Sequence, residues 1–397
     1  MKAVKFAVLG LMASVLVSLG QGSTSVVLHT TQGAPGPVSL SLSNEAKAAI
    51  DRGITWLLAQ QDKDGHWSNA DFPALTALPL WALVKGGCTN TAAVDKAVQY
   101  ILSCVHSDGS IWREPQVAQK GGGLANYNTA ICMVALNLVG DPKLVPVVQK
   151  ARSFVAATQH IGGDVYNGGM GYDPKTGKPY ADLSNSYIAY EAMRLTQNVE
   201  DLRKSGDKKA DLDWKAAQDF ISRVQNMPNT NDPQRATIPA SEKGGFAYKP
   251  DSSQAGTITN EQGEVRLRSY GSMTYAGLLS FIYADVNKED PRVQCAFDWA
   301  TRNWSLKENP GMGADGLYYF YNVLSKALSA FGQNQLAVKG GEQVNWRSDL
   351  VKQIVTLQKI EPKTGNGYWV NDAGRWWEAD PVLATSYSLI ALEVAGK

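Results

Sequence analysis

The sequence predicts an all-α protein, an (α/α)6 toroid built as a double ring of six helical hairpins, and three observations predict it. A unit recurs six times along the chain. Each copy sets a helix apolar on one face, with a Gln near its end, before a helix apolar on nearly all sides, and the two are joined by a Gly-plus-aromatic turn and a variable loop. Self-similarity at this scale marks an architecture of stacked repeats, because one hairpin cannot bury its apolar face alone. A helix with a single apolar stripe belongs on the outside of a layer, and a helix apolar all round belongs within it. The first helices should therefore form an outer wall and the second helices an inner wall, with all inner helices parallel.

Taken in order, the first copy runs Ala46 to Gln61, then Asp64-Gly65-His66-Trp67, then Ala74 to Val84. The second pairs Ala93 to Val105 with Tyr127 to Val139 through Gly109 and Trp112. A third pairs Val147 to Gln159 with Ser186 to Gln197 through Gly168-Gly169-Met170-Gly171-Tyr172, and a fourth joins Trp214 to Gln225 with Ser272 to Val286 through Gly244-Gly245-Phe246. Arg292 to Trp304 leads to Leu317 to Ala330, and Trp346 to Gln358 leads to Val382 to Val394 through Gly365, Gly367 and Trp369. Two long interruptions, the charged Glu200 to Asp211 and the polar Asn229 to Ser269, read as excursions from the ring; loops of such length are usually functional or mobile.

Length alone would allow two or three domains, but the repeat makes one domain of residues 44–397. The chain is 44% hydrophobic and 19% charged, which is the composition of a core-rich globular protein. Lys plus Arg number 38 and Asp plus Glu 37, so the basic footprint of a nucleic-acid binder is missing and no nucleic-acid partner is expected. Lys2 and Lys5 precede the apolar run Phe6 to Leu19, with small residues at Ser18, Gly20 and Gly22. That order predicts a secretory signal over 1–22, a Ser/Thr/Gly/Pro-rich leader over 23–43 and an exported, periplasmic or secreted protein. Cys88 and Cys104 are separated by a helix of roughly 20 Å, beyond the reach of a disulfide, and Cys132 and Cys295 sit inside apolar helical patterns, so free thiols are expected.

Gln61-Asp62-Lys63-Asp64-Gly65-His66-Trp67 fits Q-x-x-x-G-x-W, the repeat motif of squalene cyclases. With the six hairpins, it makes the chain from about Ser43 onward resemble the prenyltransferase and squalene-cyclase toroid superfamily. A Gln at an outer helix end can bond free backbone groups of the neighbouring helix while the aromatic packs beneath it. The resemblance implies a central cavity for an elongated, apolar, isoprenoid-like ligand, with degenerate terpene-cyclase chemistry as an extension. The D-x-D-D motif that carries the protonating acid of class II cyclases is absent; Asp182-Leu183-Ser184-Asn185 keeps one carboxylate of the pattern. The zinc triad of the prenyltransferases is absent too: the four histidines are His29, His66, His106 and His160, and Leu383 to Tyr387 stands where a ligand His would be expected. No metal and no cofactor is expected. Gly340-Gly341-Glu342-Gln343 lacks the sulfur of the complement-type thioester sequence.

Parallel inner helices bring six N-termini to one mouth, where Asp71, Asp182, Asp315 and Asp380 each precede an inner helix. Asp is a favoured N-cap, so capping competes with catalysis at each position. Asp182, Glu191, Asp315 and Asp380 are the candidate catalytic acids. At Asp182 the helix N-terminus should favour the ionised form and lower the pKa. Glu191 is expected to pair with Arg194 three residues on. Trp81, Tyr187, Tyr190, Tyr275, Tyr318, Tyr319 and Tyr387 lie on inner helices and are the candidate ligand-binding residues. Two other readings stay open: a non-catalytic scaffold whose mouth meets a protein partner, and a carbohydrate-active toroid in which Trp369, Trp376, Trp377 and Tyr172 stack sugars. Membrane attachment is not legible in the sequence.

Overall fold

A computed structural model describes residues 38–116, 123–173, 180–228 and 237–396. The expected signal, most of the leader and His29 lie outside the described residues. Among the described residues, twelve α-helices follow the predicted order: α1 Leu40–Gln60, α2 Ala74–Lys85, α3 Thr91–Leu102, α4 Ala125–Val139, α5 Val145–Ala157, α6 Leu183–Leu195, α7 Trp214–Val224, α8 Gly271–Tyr283, α9 Pro291–Arg302, α10 Leu317–Phe331, α11 Trp346–Leu357 and α12 Pro381–Ala395. The first starts inside the stretch expected as leader, because the Ser39 side chain caps it by accepting from the Leu42 amide. Asn90, Asp213, Asp290 and Asn345 cap four more outer helices through their side chains.

The inner helices touch in the cycle α2, α4, α6, α8, α10, α12 and back to α2. Their N-terminal ends meet one another: the Ala74 amide donates to Asn128 Oδ1 at 2.8 Å, the Ser272 amide to Asn309 Oδ1 at 2.9 Å and the Tyr319 amide to Glu378 Oε1 at 2.7 Å. C-terminal ends meet likewise, since Asn137 donates to the Leu195 carbonyl and Arg194 to the Tyr283 carbonyl. The inner helices are therefore parallel. The predicted all-α double ring is thus present and closed.

Four glutamines tie the outer wall together. Gln61 Nε2 bonds the Gly65 and Ala93 carbonyls, Gln159 those of Gly168 and Asp213, and Gln225 those of Gly244 and Arg292. Gln358 closes the circle by donating to the Ala49 carbonyl of α1 at 2.8 Å. The turn glycine is forced: Gly168 has φ +94, and a Cβ there would stand 1.8 Å from the Ala216 carbonyl of the next outer helix. Trp67 and Trp369 are fully buried and donate their indole N–H to the Leu57 and Ile354 carbonyls. In the second and third copies the buried place belongs to Ile111 and Met170 rather than to Trp112 or Tyr172.

The hydroxyls of the inner helices serve the same junction. Thr76, Thr129, Ser186, Thr274 and Thr385 accept the amides of Trp67, Ile111, Met170, Phe246 and Trp369. They satisfy buried backbone donors that would otherwise be costly. The charged excursion after α6 is anchored, because Glu200 turns back to Arg152 at 2.7 Å with both side chains buried.

Candidate ligand site at the inner-helix mouth

Asp182 caps α6 through the Asn185 amide at 2.9 Å and also accepts from Asn185 Nδ2 at 2.7 Å. It is fully buried, because the second excursion lies over it: the Leu183 amide donates to the Tyr248 carbonyl at 2.8 Å. The Tyr248 and Tyr180 hydroxyls lie beside the Asp182 carboxylate and favour its ionised form. Tyr248 in turn lies 3.4 Å, hydroxyl to hydroxyl, from both Tyr172 and Tyr180. Further round the mouth, the Tyr127 and Tyr172 rings stand 6.1 Å apart, the Tyr319 and Tyr387 rings 5.8 Å apart edge to face, and the Tyr319 hydroxyl lies 3.3 Å from that of Ser184. Burial pushes these tyrosine hydroxyls above their ordinary range, so they stay protonated donors.

Burial outweighs the donors at Asp182 and holds its carboxyl above the usual carboxylate range. This corrects the expectation that the helix N-terminus would lower it. A folded value raised above the unfolded one means that the Asp182 contribution to stability is whole below about pH 4 and is lost as pH rises through the folded value. Relative to Asp182→Asn, the wild type should therefore lose stability as pH rises from about 4 to about 7. Urea denaturation of both proteins at the two pH values measures it; a difference that stays constant or grows with pH would contradict it.

Deeper in the ring a second level crosses the axis. Lys326 of α10 bonds Glu191 of α6 at 3.1 Å and lies 4.3 Å above the Trp81 ring of α2. Neither α2 nor α6 neighbours α10 in the ring, so the lysine side chain must span the centre. Tyr283 donates to Glu191 Oε1 at 3.2 Å, and the buried Tyr187 hydroxyl has no hydrogen-bond partner among the described residues. The expected partner of Glu191, Arg194, pairs instead with Asp285 at 2.6 Å and stacks on Trp214. Helix spacing put Glu191 and Arg194 side by side, but the ring turns one to the axis and the other to the C-terminal rim.

The structure divides the other sequence candidates. Tyr319 and Tyr387 stand in the mouth, and Trp81 and Tyr187 on the deeper level. Tyr190 donates outward to the Gly168 carbonyl at 2.9 Å, Tyr318 reaches toward the Val370 carbonyl at 3.4 Å, and Tyr275 packs on Phe320 within the wall. Those three fill the space between helices rather than face the axis. Asp380 caps α12 and bonds Ser68. Asp315 does not cap; it pairs with Arg375 at 2.9 Å on the rim. Sequence reasoning missed Tyr127, Tyr180, Tyr248, Lys326 and Glu378. Glu378 is buried beneath the rim and accepts from the Tyr318 and Tyr319 amides and from Asn371 Nδ2. Only its closeness to Asp380 in sequence could have flagged it.

Among the described residues no three His, Cys, Asp or Glu side chains come together as a metal site, and all four cysteines are free. Clefts of about 230 Å³, beside Cys88, and about 190 Å³, between α3 and α5, lie on the outer wall and fall short of a drug-sized pocket.

The double ring has the fold of the terpene-cyclase and prenyltransferase toroids. The apo type II terpene cyclase MstE from Scytonema superposes with a TM-score of 0.53 at 12% identity, over 89% of this chain and 98% of that one. A variant of that enzyme bound to its substrate geranylgeranyl dihydroxybenzoate gives 0.53 at 13% identity, over 90% and 98%. An alpha-amylase from Clostridium perfringens gives 0.52 at 10% identity, over 88% and 97%. At such identities the likeness shows the fold alone. The sequence matches no protein-family model and no curated protein.

Proposed function

We propose that the protein binds an amphiphilic, isoprenoid-like small molecule at the inner-helix mouth. The observation that carries this is the convergence of Tyr127, Tyr172, Tyr180, Tyr248, Tyr319 and Tyr387 around and beside Asp182. Tyrosine presents an apolar face and a polar tip, which suits a ligand with a hydrocarbon body and an oxygenated end. Geranylgeranyl dihydroxybenzoate, bound by the Scytonema cyclase, has that character. The Lys326 crossing limits how far such a molecule enters, so the mouth takes one end of it and not its whole length. Asp182 is hydrogen-bonded as an acceptor and lacks partner carboxylates, which favours binding over proton-initiated cyclisation. We read residues 1–22 as directing the protein out of the cytoplasm, where it would meet lipid-derived ligands.

Isothermal titration with geranylgeraniol in a mild detergent tests the reading. Saturable binding is expected, weakened about tenfold in Tyr319→Ala, the ~1.4 kcal/mol of a lost aromatic contact. No binding, or binding indifferent to Tyr319, refutes it. Cyclised product that disappears in a folded Asp182→Asn variant would establish an enzyme instead of a binder.

A further inference from the structure

The rim carries one arrangement that neither the core nor the mouth accounts for. Trp376 and Trp377 are 42% and 43% exposed, the two aromatic members among the exposed large hydrophobic residues described. Both occupy the left-handed region, with φ of 54° and 68°, where a bulky residue other than glycine is an outlier. Ser68, at φ 54°, is a third such residue, and its hydroxyl bonds Asp380 in the same cluster. Strain and exposure of large apolar rings are separate costs, and here both fall on the same two residues. Strained backbone persists where the surroundings over-determine it, and such places gather at functional sites.

The surroundings do hold these rings in place. The Asp380 amide donates to the Trp377 carbonyl at 2.9 Å, and the Asn371 amide to the Glu378 carbonyl at 2.9 Å. Phe72 meets Trp377 edge to face at 5.1 Å, and the Arg375 guanidinium lies 4.3 Å over Trp376. A Cβ on Gly316 would come within 3.0 Å of the Trp376 ring. The indoles are thus fixed before any ligand arrives, which lowers the cost of binding.

We infer that Trp376 and Trp377 form a stacking platform for the pyranose ring of a neutral carbohydrate. The charged groups beside the platform are already engaged: Arg375 pairs with Asp315 and bonds Gln254, each at 2.9 Å, and the Asp380 carboxylate accepts from the Ser68 hydroxyl and the Val382 amide. An ionic ligand would have to break these pairs. A neutral polyol does not, because the spare lone pairs of Asp315 and Gln254 and the remaining N–H groups of Arg375 can meet hydroxyls at its perimeter. The apolar C–H face of a pyranose then lies on indole. Two rings are too small an apolar area to seat a protein, for which a stable interface buries roughly 800 Å² per partner. This inference does not depend on the mouth ligand.

The test is titration of the full chain with soluble hexasaccharides, namely malto-, cello-, xylo- and N-acetylchito-oligomers, followed by intrinsic tryptophan emission and calorimetry. At least one should bind saturably, and Trp376→Gly and Trp377→Gly should each weaken it tenfold or more. The glycine variants should melt no lower than the wild type, since glycine relieves the left-handed strain; a purely structural role would lower the melting point. Geranylgeraniol binding should survive both substitutions, which keeps failure here distinct from failure at the mouth. No oligosaccharide binding, binding unchanged in both variants, or melting points that fall in both would overturn the inference.

Discussion

Lys326→Met should destabilise the protein by about 3–5 kcal/mol, because it leaves the Glu191 carboxylate on the ring axis without its cation. The side chains of the pair are only 10% and 6% exposed, so water cannot take the place of the lost partner. Glu191→Gln alone should cost less than Lys326→Met: the carboxamide oxygen still accepts from Tyr283 or Lys326, and the ammonium keeps the Trp81 face. The double variant should be more stable than Lys326→Met, since no unpaired charge remains. Urea denaturation of the four proteins in a double-mutant cycle gives the coupling. A cost below about 1 kcal/mol for Lys326→Met would mean that the pair behaves as a solvated one, and the two-level description of the axis would have to be abandoned.

The second large effect is expected at Glu378. Its carboxylate accepts the first free amides of α10, from Tyr318 and Tyr319, and the Asn371 side chain. Glu378→Ala strands those buried donors, at about 1–3 kcal/mol for each group left unsatisfied, so a loss of at least 3 kcal/mol is expected. Glu378→Gln keeps one acceptor and turns an NH2 toward a donor; about half of that loss should remain. Burial holds the Glu378 carboxyl above its usual range despite the donors. Its contribution is therefore whole below the unfolded value near 4.3 and lost as pH rises through the folded one. The deficit of Glu378→Gln should be larger at pH 4 than at pH 7, and the opposite trend would reverse the assignment of burial as the dominant cause.

Reading the fold from sequence worked where one residue acts on its neighbours in the chain. The stripe on α7 against the all-round apolarity of α8 separated outer from inner helices, because burial on one side or on all sides leaves a local pattern. Gln61, Gln159, Gln225 and Gln358 stood at helix ends, and a helix end leaves backbone groups that such a side chain can reach. The mouth was legible as a place, since capping acids precede inner helices. Which groups occupy it was less so. Tyr248 comes from an excursion with no periodic signal, yet its carbonyl and hydroxyl both meet the start of α6.

Tyr190, Tyr275 and Tyr318 look the same in sequence as Tyr319 and Tyr387, because an inner helix is apolar on all sides and its pattern does not say which side faces the axis. Helix rotation settles that, and rotation is set by packing between neighbours that are 40 or more residues apart in the chain. The amino-acid sequence by itself determined that this protein is a closed double ring of hairpins with one acid-bearing mouth, because amphipathicity, caps and turn glycines are local. Only the tertiary structure decided that Lys326 of α10 meets Glu191 of α6 across the ring, and that burial rather than the helix dipole governs Asp182. Both depend on distances and on water exclusion that exist only once the ring has closed.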